Sequence, residues 1–498
     1  MQNFKRLIWG FAISVLFIAC GKQGVQKISD KGEFSGKFGI SADHVDMLIG
    51  ETQDLIIRNG SGDYEVTDDF PGKFVTLDVT KSKIKITPVS EGETTIIIID
   101  RKRKAAGLSD VVARLTIKVV KGEDPLPEGV IVKDGVLVSW PDNAIPENGE
   151  VVLHSSIKAI GEAAFRQCGR LRKVTLHAAV KSIGKEAFRE CGALQEVIMN
   201  EGLESIGEMA FENCQSLAKV NIPASVQIIE PTVFSQCVNL AEVSLADGLK
   251  FIGERMFADC DALESIKLPS SIEKIGEAAF VNCGYLGEMI IPEKVTEILR
   301  DTFSGCSALM NVTLPSNLTH IGMDAFNNCV FLKKIDLPES LTNLEGCFAG
   351  CSAMTEITIP KEIEELYANL FANCSKLKTV KFNKKLKKIG IKSFKNCSSL
   401  ESIEIPEGVV VLNNYAFQNC YSLNKVILPS TVKDMKLLCF VNCNALKEVY
   451  CKALEVPEAK YPFKNTPKGK VLYVPSGAKS RYEKAWGDAG FSRIVENL

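Results

Sequence analysis

The sequence predicts two folded parts in series, a β-sandwich near the N-terminus followed by a long solenoid of stacked coils. A sequence repeat predicts the solenoid. Thirteen cysteines from Cys168 to Cys443 follow one another at intervals of 23 residues, with a single interval of 22. Phe stands three residues before every one of them. The sandwich follows from short β-rich runs between residues 37 and 121, which Gly- and Pro-containing turns separate.

Each repeat carries apolar residues at fixed offsets from its cysteine. Positions +6 and +8 are apolar in all thirteen repeats, and +9 is Pro in eight of them. This predicts a short strand whose +6 and +8 side chains point inward and which ends at Pro, because Pro lacks the N–H that a ladder needs. An Ile-Gly pair then turns the chain, and an Ala-Phe pair is expected to begin a helical or 3₁₀ return. One such coil cannot bury its own apolar residues, so about thirteen coils must stack.

The pattern LxxIxIPxxVxxIGxxAFxxC resembles the BspA-type bacterial leucine-rich repeat family over about 300 residues. The resemblance implies a right-handed leucine-rich-repeat solenoid over residues 151–452, followed by a C-terminal cap at 453–498. Members of that family are found on bacterial surfaces, where they are associated with adhesion and with binding host or partner macromolecules. The resemblance therefore implies an open binding scaffold without an active site.

The stretches LIGETQDL, VSEGETTIIIID and LTIKVV resemble bacterial immunoglobulin-like domains. This resemblance implies an immunoglobulin-like β-sandwich over residues 37–121 that serves as a spacer or an adhesive module. The segment 122–150 begins with the Pro-containing GEDPLPEG and is interpreted as a linker and N-terminal cap.

The first 19 residues have the features of an export signal, with Lys5 and Arg6 before an apolar run from Leu7 to Ala19. A membrane-spanning helix is the alternative, but it needs about 20 apolar residues and this run is shorter. The sequence FIAC that ends at Cys20 resembles a bacterial lipobox, which implies a lipid attached to Cys20 and a tether over residues 20–36. We therefore expect an envelope protein held in the outer membrane by lipid, and the sequence leaves open whether it faces the surface or the periplasm.

Seventeen cysteines in an exported chain raise three possibilities: disulfides, metal ligands or buried free thiols. The periodic positions favour free thiols in the core, since Cys is among the most buried residue types. Disulfides between successive coils are the main alternative, although parallel side chains hold the Cβ atoms farther apart than a bridge prefers. Metal is disfavoured because no CxxC pair or His ligand accompanies the cysteines.

No arrangement of catalytic residues is evident, so we expect no enzyme, no cofactor and no metal. The four histidines, His44, His154, His177 and His320, form no HExxH motif and accompany no plausible nucleophile. The formal net charge is −2, from 59 basic and 61 acidic residues, so no global field favours nucleic acid.

Position +7 of each repeat is expected to face outward on the concave sheet surface and forms the candidate binding face. Its residues are Thr175, Ile198, Asn221, Ser244, Lys267, Ile290, Thr313, Asp336, Thr358, Lys381, Glu404, Ile427 and Tyr450. This column is nearly without aromatic residues, so a carbohydrate-stacking platform is not evident. In the +5 column, Lys173, Glu196, Lys219 and Glu242 alternate in sign, as pairing between neighbouring strands favours.

Nine lysines between Lys376 and Lys395 form the strongest local charge feature. They either attract an acidic ligand such as a sulfated glycan or pair with acidic residues of the preceding coil. Pairing is favoured because Glu362, Glu364 and Glu365 are in register with Lys385, Lys387 and Lys388.

The sequence thus predicts a non-catalytic envelope lipoprotein whose repeats bind a protein or glycan, as in adhesion to a host or matrix. The alternative is a structural or assembly component that binds other parts of the bacterial envelope.

Overall fold

The computed structural model describes residues 36–69, 71–120 and 126–498 of the chain. The predicted signal peptide and Cys20 lie outside these residues. We call residues 36–120 the N-terminal domain and residues 126–498 the solenoid.

The N-terminal domain contains eight strands and one short helix among its described residues. They are β1 Gly39–Ile40, β2 His44–Leu48, β3 Gln53–Arg58, β4 Tyr64–Asp68, β5 Val75–Val79, β6 Lys83–Pro88, β7 Gly92–Asp100, α1 Arg101–Ala105 and β8 Val112–Val120. Two four-stranded sheets run in the orders β1-β3-β6-β5 and β2-β8-β7-β4. Side chains alternate across a strand, so every second residue of β7 and β8 is buried, and both sheets contribute to one shared core.

In the solenoid, coil 1 begins at Cys168 and coil 13 begins at Cys443. The first strand of each coil forms the front sheet, and the second strand, usually of two residues, forms the back sheet. The front strands are Glu150–Val152, Lys173–Thr175, Glu196–Ile198, Lys219–Ile222, Glu242–Leu245, Glu288–Ile290, Asn311–Thr313, Glu356–Thr358, Thr379–Lys381, Ser402–Glu404, Lys425–Leu428, Glu448–Cys451, Lys470–Val474 and Phe491–Glu496. The back strands are Ile131–Lys133, Val136–Ser139, Ala159–Ile160, Ser182–Ile183, Ser205–Ile206, Ile228–Ile229, Phe251–Ile252, Lys274–Ile275, Glu297–Ile298, His320–Ile321, Asn343–Leu344, Glu365–Leu366, Lys388–Ile389, Val411–Leu412, Asp434–Met435 and Glu458–Ala459.

Neighbouring coils pair in parallel with a shift of one repeat. Lys173 is opposite Glu196 and Thr175 is opposite Ile198 in the front sheet. Coils 5 and 8, which are described throughout, contribute no front strand. Most residues at the inward positions +6 and +8 are buried as predicted, because the stacked coils enclose one continuous core, and the others are half-buried against it.

The prediction of helical or 3₁₀ returns is wrong. From residue 150 to residue 469, all of which are described, the chain contains no helix. Each return instead contains residues with a left-handed backbone, such as Ala163 at φ 53° and Gln167 at φ 61°. The N–H of Ala163 donates to the carbonyl of Lys185, and the N–H of Gln167 donates to that of Arg189, both at 2.9 Å. A helix would bond these groups within its own turns, so pairing with the next coil takes the place of a helix.

Asparagines before the cysteines form a ladder along the C-terminal coils. Asn tolerates the left-handed backbone that this position has, because its short polar side chain can hydrogen-bond locally. The side-chain amide of Asn396 donates to Asn373 at 2.6 Å, that of Asn419 donates to Asn396 at 2.8 Å, and that of Asn442 donates to Asn419 at 2.7 Å. The residue type that the turn requires therefore also links successive coils.

The recurring phenylalanines form one continuous stack through the core. Ring centroids of neighbouring coils are 5.0 to 5.9 Å apart, from Phe165 to Phe463. Phe463 continues the series after the last periodic cysteine. No cysteine accompanies it, since Thr466 stands where the next one would be. Trp140 covers the first ring at 5.3 Å, and Trp486 meets the last ring edge-on at 5.5 Å. Aromatic caps thus close both ends of the stack.

A helix and a strand complete the C-terminal cap. The helix α2 spans Lys479–Trp486, and its Tyr482 hydroxyl donates to the carbonyl of Ala453 at 2.7 Å. Two 3₁₀ helices, Asp142–Ala144 and Gly487–Ala489, lie outside the repeats. The last front strand, Phe491–Glu496, then covers the open edge of the sheet, as solenoid ends require.

All sixteen cysteines in the described part of the chain are free and buried. Each periodic thiol from Cys191 onward donates to the backbone carbonyl of the Phe in the preceding return, as Cys191 Sγ does to Phe165 at 2.9 Å and Cys306 Sγ does to Phe280 at 3.1 Å. The thiol of Cys168 donates to the carbonyl of Trp140 at 3.2 Å. The carbonyl of Phe165 also accepts from the backbone N–H of Cys168 at 3.1 Å, so the thiol of Cys191 is its second donor. The cysteine period therefore reflects a small apolar side chain that can also donate a hydrogen bond.

Unfolding the protein in denaturant without reductant is expected to expose sixteen reactive thiols from residues 126–498. The physical reason is that no disulfide joins any two of these sixteen thiols. A thiol-reactive chromophore gives the count, and a sample reduced before denaturation is the control. A count well below that of the reduced sample would show bridged pairs.

Candidate binding face

The described residues hold no cluster of His, Cys, Asp or Glu side chains that could bind a metal ion. Three of the histidines either contact a neighbouring side chain or lie in a strand. His44 contacts Asp46 at 2.8 Å, His154 contacts Ser156 at 2.8 Å, and His320 lies in a back strand. None of the helices in residues 36–69, 71–120 and 126–498 combines the length and apolar character that crossing a membrane requires.

The outward positions of the front sheet are therefore the remaining candidate site. Lys267, Ile290, Thr313, Asp336, Thr358, Lys381 and Glu404 are exposed, Asn221, Ser244, Ile427 and Tyr450 are half-buried, and Thr175 and Ile198 are buried. Positions +5 and +7 face outward because +6 and +8 supply the core. The structure thus places eleven of the thirteen predicted residues on an accessible surface, and two are covered.

The N-terminal domain covers the first coils. The hydroxyl of Thr175 donates to Asp46 Oδ2 at 3.4 Å, and Arg58 donates to the hydroxyl of Ser244. Asp46 lies in β2, whose outer side chains are buried as well as its inner ones because the solenoid lies against them. The expectation that a ligand can reach every +7 residue is therefore wrong for the covered ones. Strand alternation in the sequence does not indicate contacts with another domain.

His177 lies at the same boundary and is 3% exposed. Its Nε2 donates to the carbonyl of His154 at 3.0 Å, and its Nδ1 accepts from the N–H of Ala179 at 3.3 Å. The same Nδ1 is 3.5 Å from Glu51 Oε1 of the N-terminal domain. The strand-end position that is Pro in most coils here carries a side chain that contacts the covering domain.

Two carboxyl groups at this boundary have shifted pKa values. Burial favours a higher pKa for Asp46, but the hydrogen bond and charge of His44, with the nearby charge of Lys173, lower its pKa overall. Burial raises the pKa of Glu201, and this outweighs the hydrogen bond from Ser41. Asp46 is therefore stabilised as a carboxylate in the contact, whereas Glu201 takes up a proton more readily than an exposed Glu.

The uncovered part of the front sheet is mostly polar. The predicted +5 pairs are confirmed, because Lys173 lies 3.1 Å from Glu196 and Lys219 lies 3.2 Å from Glu242. Farther along, in coil 8, Lys334 pairs with Asp336 at 3.0 Å. These exposed pairs contribute well under about 1 kcal/mol each, so they shape the charge pattern more than the stability.

Coils 6 to 8 carry exposed apolar side chains, and we call the following four together the apolar patch. Tyr285 and Ile290 are each 67% exposed, Phe331 is 57% exposed and Met310 is 49% exposed. Sequence reasoning missed three of them because it followed only the +7 column, whereas Tyr285 and Phe331 stand at +2 and Met310 at +4. Aromatic residues and Met are enriched in the centres of protein interfaces, so this apolar patch is the strongest candidate anchor point.

A second aromatic group lies at the C-terminal end of the front sheet. The rings of Tyr450 and Tyr473 stack with centroids 4.3 Å apart, and Lys425 Nζ lies 4.7 Å from the Tyr450 centroid. Tyr473 was not among the predicted residues, although its place one repeat after Tyr450 was a signal for it. The front face is thus less poor in aromatic residues than the predicted column indicated.

The lysine cluster is paired only in part. Lys385 forms an ion pair with Glu362, and Lys388 lies 3.6 Å from Glu365, as the register predicted. Between Lys387 and Glu364 the described contact is a backbone hydrogen bond of 2.7 Å. Neutralisation by the preceding coil therefore accounts for two of the nine lysines.

Solved structures with similar folds come from several bacteria. A leucine-rich repeat protein from Bacteroides ovatus ATCC 8483 is 20% identical, with a TM-score of 0.54 over 86% of this chain and 100% of that one. A leucine rich cell surface protein from Faecalibacterium prausnitzii A2-165 is 21% identical, with a TM-score of 0.44 over 76% of this chain and 100% of that one. The pneumococcal vaccine antigen PcpA is 19% identical, with a TM-score of 0.36 over 76% and 99% of the two chains. A comparison with the curated proteins finds no match.

The repeats also match a described protein family. The BspA type leucine rich repeat region matches residues 158–286, 227–346, 274–400 and 345–468, which overlap and together cover more than half of the chain. The stacked coils, the phenylalanine series and the front sheet all lie within or beside these segments. The chain belongs to the BspA-type leucine-rich repeat family.

Proposed function

We propose that this protein is a non-catalytic lipoprotein of the bacterial cell envelope whose front sheet binds a macromolecule. The observation that carries the proposal is the accessible outward surface from Lys267 to Tyr450, with the exposed apolar patch in coils 6 to 8. BspA-type repeats are macromolecule-binding scaffolds of cell-surface proteins, which supports this assignment. A large shallow surface with a few exposed apolar anchors suits a protein partner better than a small molecule, which needs a concave pocket.

The N-terminal parts of the proposal concern attachment. Residues 1–19 direct export, acyl chains on Cys20 hold the protein in the outer membrane, and residues 20–36 tether the folded part. The N-terminal domain is proposed to be an immunoglobulin-like module, and its two sheets with a shared core support that assignment.

Adhesion to a host or matrix component is the proposed role of the binding face. The test is a binding screen of the protein against immobilised matrix proteins and glycans, followed by a matched pair of variants. Ile290→Asp places a charge in the apolar patch on the front sheet, and Ile228→Asp makes the same change on the back sheet, where the side chain is 55% exposed. We expect Ile290→Asp to weaken binding at least about tenfold, which corresponds to the loss of one interface anchor, and Ile228→Asp to leave it unchanged.

Protease treatment of intact cells and crosslinking distinguish adhesion from a structural role in the envelope. An adhesin is digested on intact cells and binds ligands of the screen. Protection from protease, together with crosslinks only to envelope components, would support the structural role instead. Equal loss of binding in both Ile→Asp variants would remove the front sheet as the binding face.

A further inference from the structure

The surface under the N-terminal domain is formed by the same repeat positions as the exposed front sheet. Ile198 in coil 2 and Ile290 in coil 6 occupy the same position of the repeat and point outward in the same way. Ile198 is 6% exposed and Ile290 is 67% exposed. Since residue type and strand position are identical, the difference comes from the N-terminal domain that lies over coil 2. The covered coils therefore carry a binding surface of the same kind.

The polar contacts between the N-terminal domain and the solenoid are separate from one another, and apolar side chains such as Ile198 are buried beside them. Thr175 and Asp46 meet at 3.4 Å, at the long end of the hydrogen-bond range. His177 Nδ1 and Glu51 Oε1 lie 3.5 Å apart without a hydrogen bond between them, because this nitrogen accepts from the N–H of Ala179. Arg58 donates to Ser244, and Ser41 donates a hydrogen bond to Glu201. Domains that are joined permanently share large apolar interfaces, and relative motion is the expectation where the interface is small or polar.

The boundary is also incompletely filled. A crevice of about 70 Å³ separates the residues around His44 from the front strand Glu196–Ile198. A smaller crevice lies between Glu51 and His177. Beside it, the Nε2 atom of Gln53 is buried and has no hydrogen-bond partner among the described residues. A buried amide without a partner opposes docking, because detachment would return it to water.

We infer that the N-terminal domain is a reversible cover, which detaches from coils 1 to 4 and adds Thr175, Ile198 and their neighbours to the accessible binding face. In the docked form Thr175 and Ile198 are buried and out of reach of a ligand. A ligand that also contacts coils 1 to 4 shifts the equilibrium toward the detached form by its difference in affinity for the two forms. This inference concerns access to the front sheet and holds whether or not the proposed ligand class is correct.

Cysteine labelling tests the cover without any ligand. The native thiols of the described chain are buried and give a slow background, so Ile198→Cys and Ile290→Cys form a matched pair of reporters in a full-length Cys20→Ser chain. The probe is a maleimide dye, and the readout is the labelling rate at each introduced cysteine. A detached form populated at about 0.1–10% predicts labelling at position 198 about 10- to 1,000-fold slower than at position 290. Labelling at position 198 is still expected to be faster than at the buried native thiols.

A substitution at the boundary supplies the second arm. Arg58→Glu removes the contact with Ser244 and should increase the rate at position 198 about tenfold, the effect of one lost charge-assisted hydrogen bond. The rate at position 290 should not change. Lys104→Glu makes the same class of charge change in α1 at an exposed position and serves as the control.

Two results would overturn the inference. If position 198 reacts as slowly as the native thiols and Arg58→Glu has no effect, the domain is a permanent cap. If position 198 reacts as fast as position 290, the domain does not cover the coils in solution. Neither labelling result depends on adhesion. A binding screen that finds no ligand and a labelling experiment that contradicts the reversible cover are therefore separate outcomes.

Discussion

Raising the pH from 8 to 10 is expected to unfold the solenoid cooperatively under reducing conditions. Burial raises the pKa of the Cys237 and Cys374 thiols from 9.0 to about 12, and it raises the pKa of most of the other core thiols as well. The folded-state pKa lies above the unfolded value. The resulting stabilisation is complete below pH 9 and is lost as the pH rises above it, because only the unfolded chain then releases these protons.

The expected effect is large because many thiols act together. Each one reduces the free energy of unfolding by about 1.4 kcal/mol per pH unit above its unfolded pKa. Three thiols alone remove about 4 kcal/mol per pH unit, a large share of a typical total of about 5–15 kcal/mol. Lys470 acts in the opposite direction, since burial lowers its pKa to about 8 and its neutral form favours folding above that pH. Lys470 is one group, whereas many thiols change the stability in the other direction.

Urea unfolding at a series of pH values, followed by tryptophan fluorescence, measures this slope. Cys214→Ala combined with Cys397→Ala is the control, because two fewer thiols should reduce the pH slope by about 3 kcal/mol per unit whatever the variant does to stability at pH 7. A free energy of unfolding that stays constant from pH 8 to pH 10 would contradict the prediction.

Phe280→Ala is expected to destabilise the solenoid by about 3–5 kcal/mol, the usual effect of removing a fully buried aromatic side chain. Phe280 is 0% exposed and stacks between Phe257 and Phe303, with both centroid distances 5.5 Å. In a repeat protein each coil is stabilised by its neighbours only, so a cavity in the middle weakens the coupling between the two halves. We therefore expect unfolding in two steps instead of one.

The two cap tryptophans allow both ends to be followed separately. Trp140 reports the N-terminal end, and Trp486 reports the C-terminal end, each in a variant in which the other is Phe. The urea midpoints of the two reporters should coincide in the parent protein and separate in Phe280→Ala. Phe331→Ala removes a ring that is 57% exposed, so it should change the stability by no more than about 0.5 kcal/mol. Equal effects of the two substitutions would show that the stack does not determine stability.

The sequence was sufficient to predict the stacked coils and their inward residues. A fixed interval between Phe165 and Phe188 forces equivalent residues into register, and strand alternation then decides that Val174 faces inward and Thr175 outward. These are local rules that depend on neighbours at a known distance along the chain, so they could be applied without coordinates.

What the sequence could not show depends on contacts that are distant in the chain. Thr175 meets Asp46 across 129 residues, and no periodicity indicates that the N-terminal domain would lie on this part of the front sheet. The returns were predicted as helical because Ala-Phe pairs favour that conformation locally. Hydrogen bonds from Ala163 and Gln167 to the following coil override this preference, since partners there are available at every step.

The hydrogen bond from each periodic thiol after Cys168 to a phenylalanine carbonyl joins one return only to the return before it. The asparagine ladder and the parallel strand pairs follow the same nearest-neighbour rule. A duplication or deletion of a whole repeat in the gene would therefore leave these three kinds of contact in place between the remaining coils. Unequal recombination can lengthen or shorten this protein in steps of one coil, so the reach of its binding surface is a quantity that selection can adjust without redesigning the core.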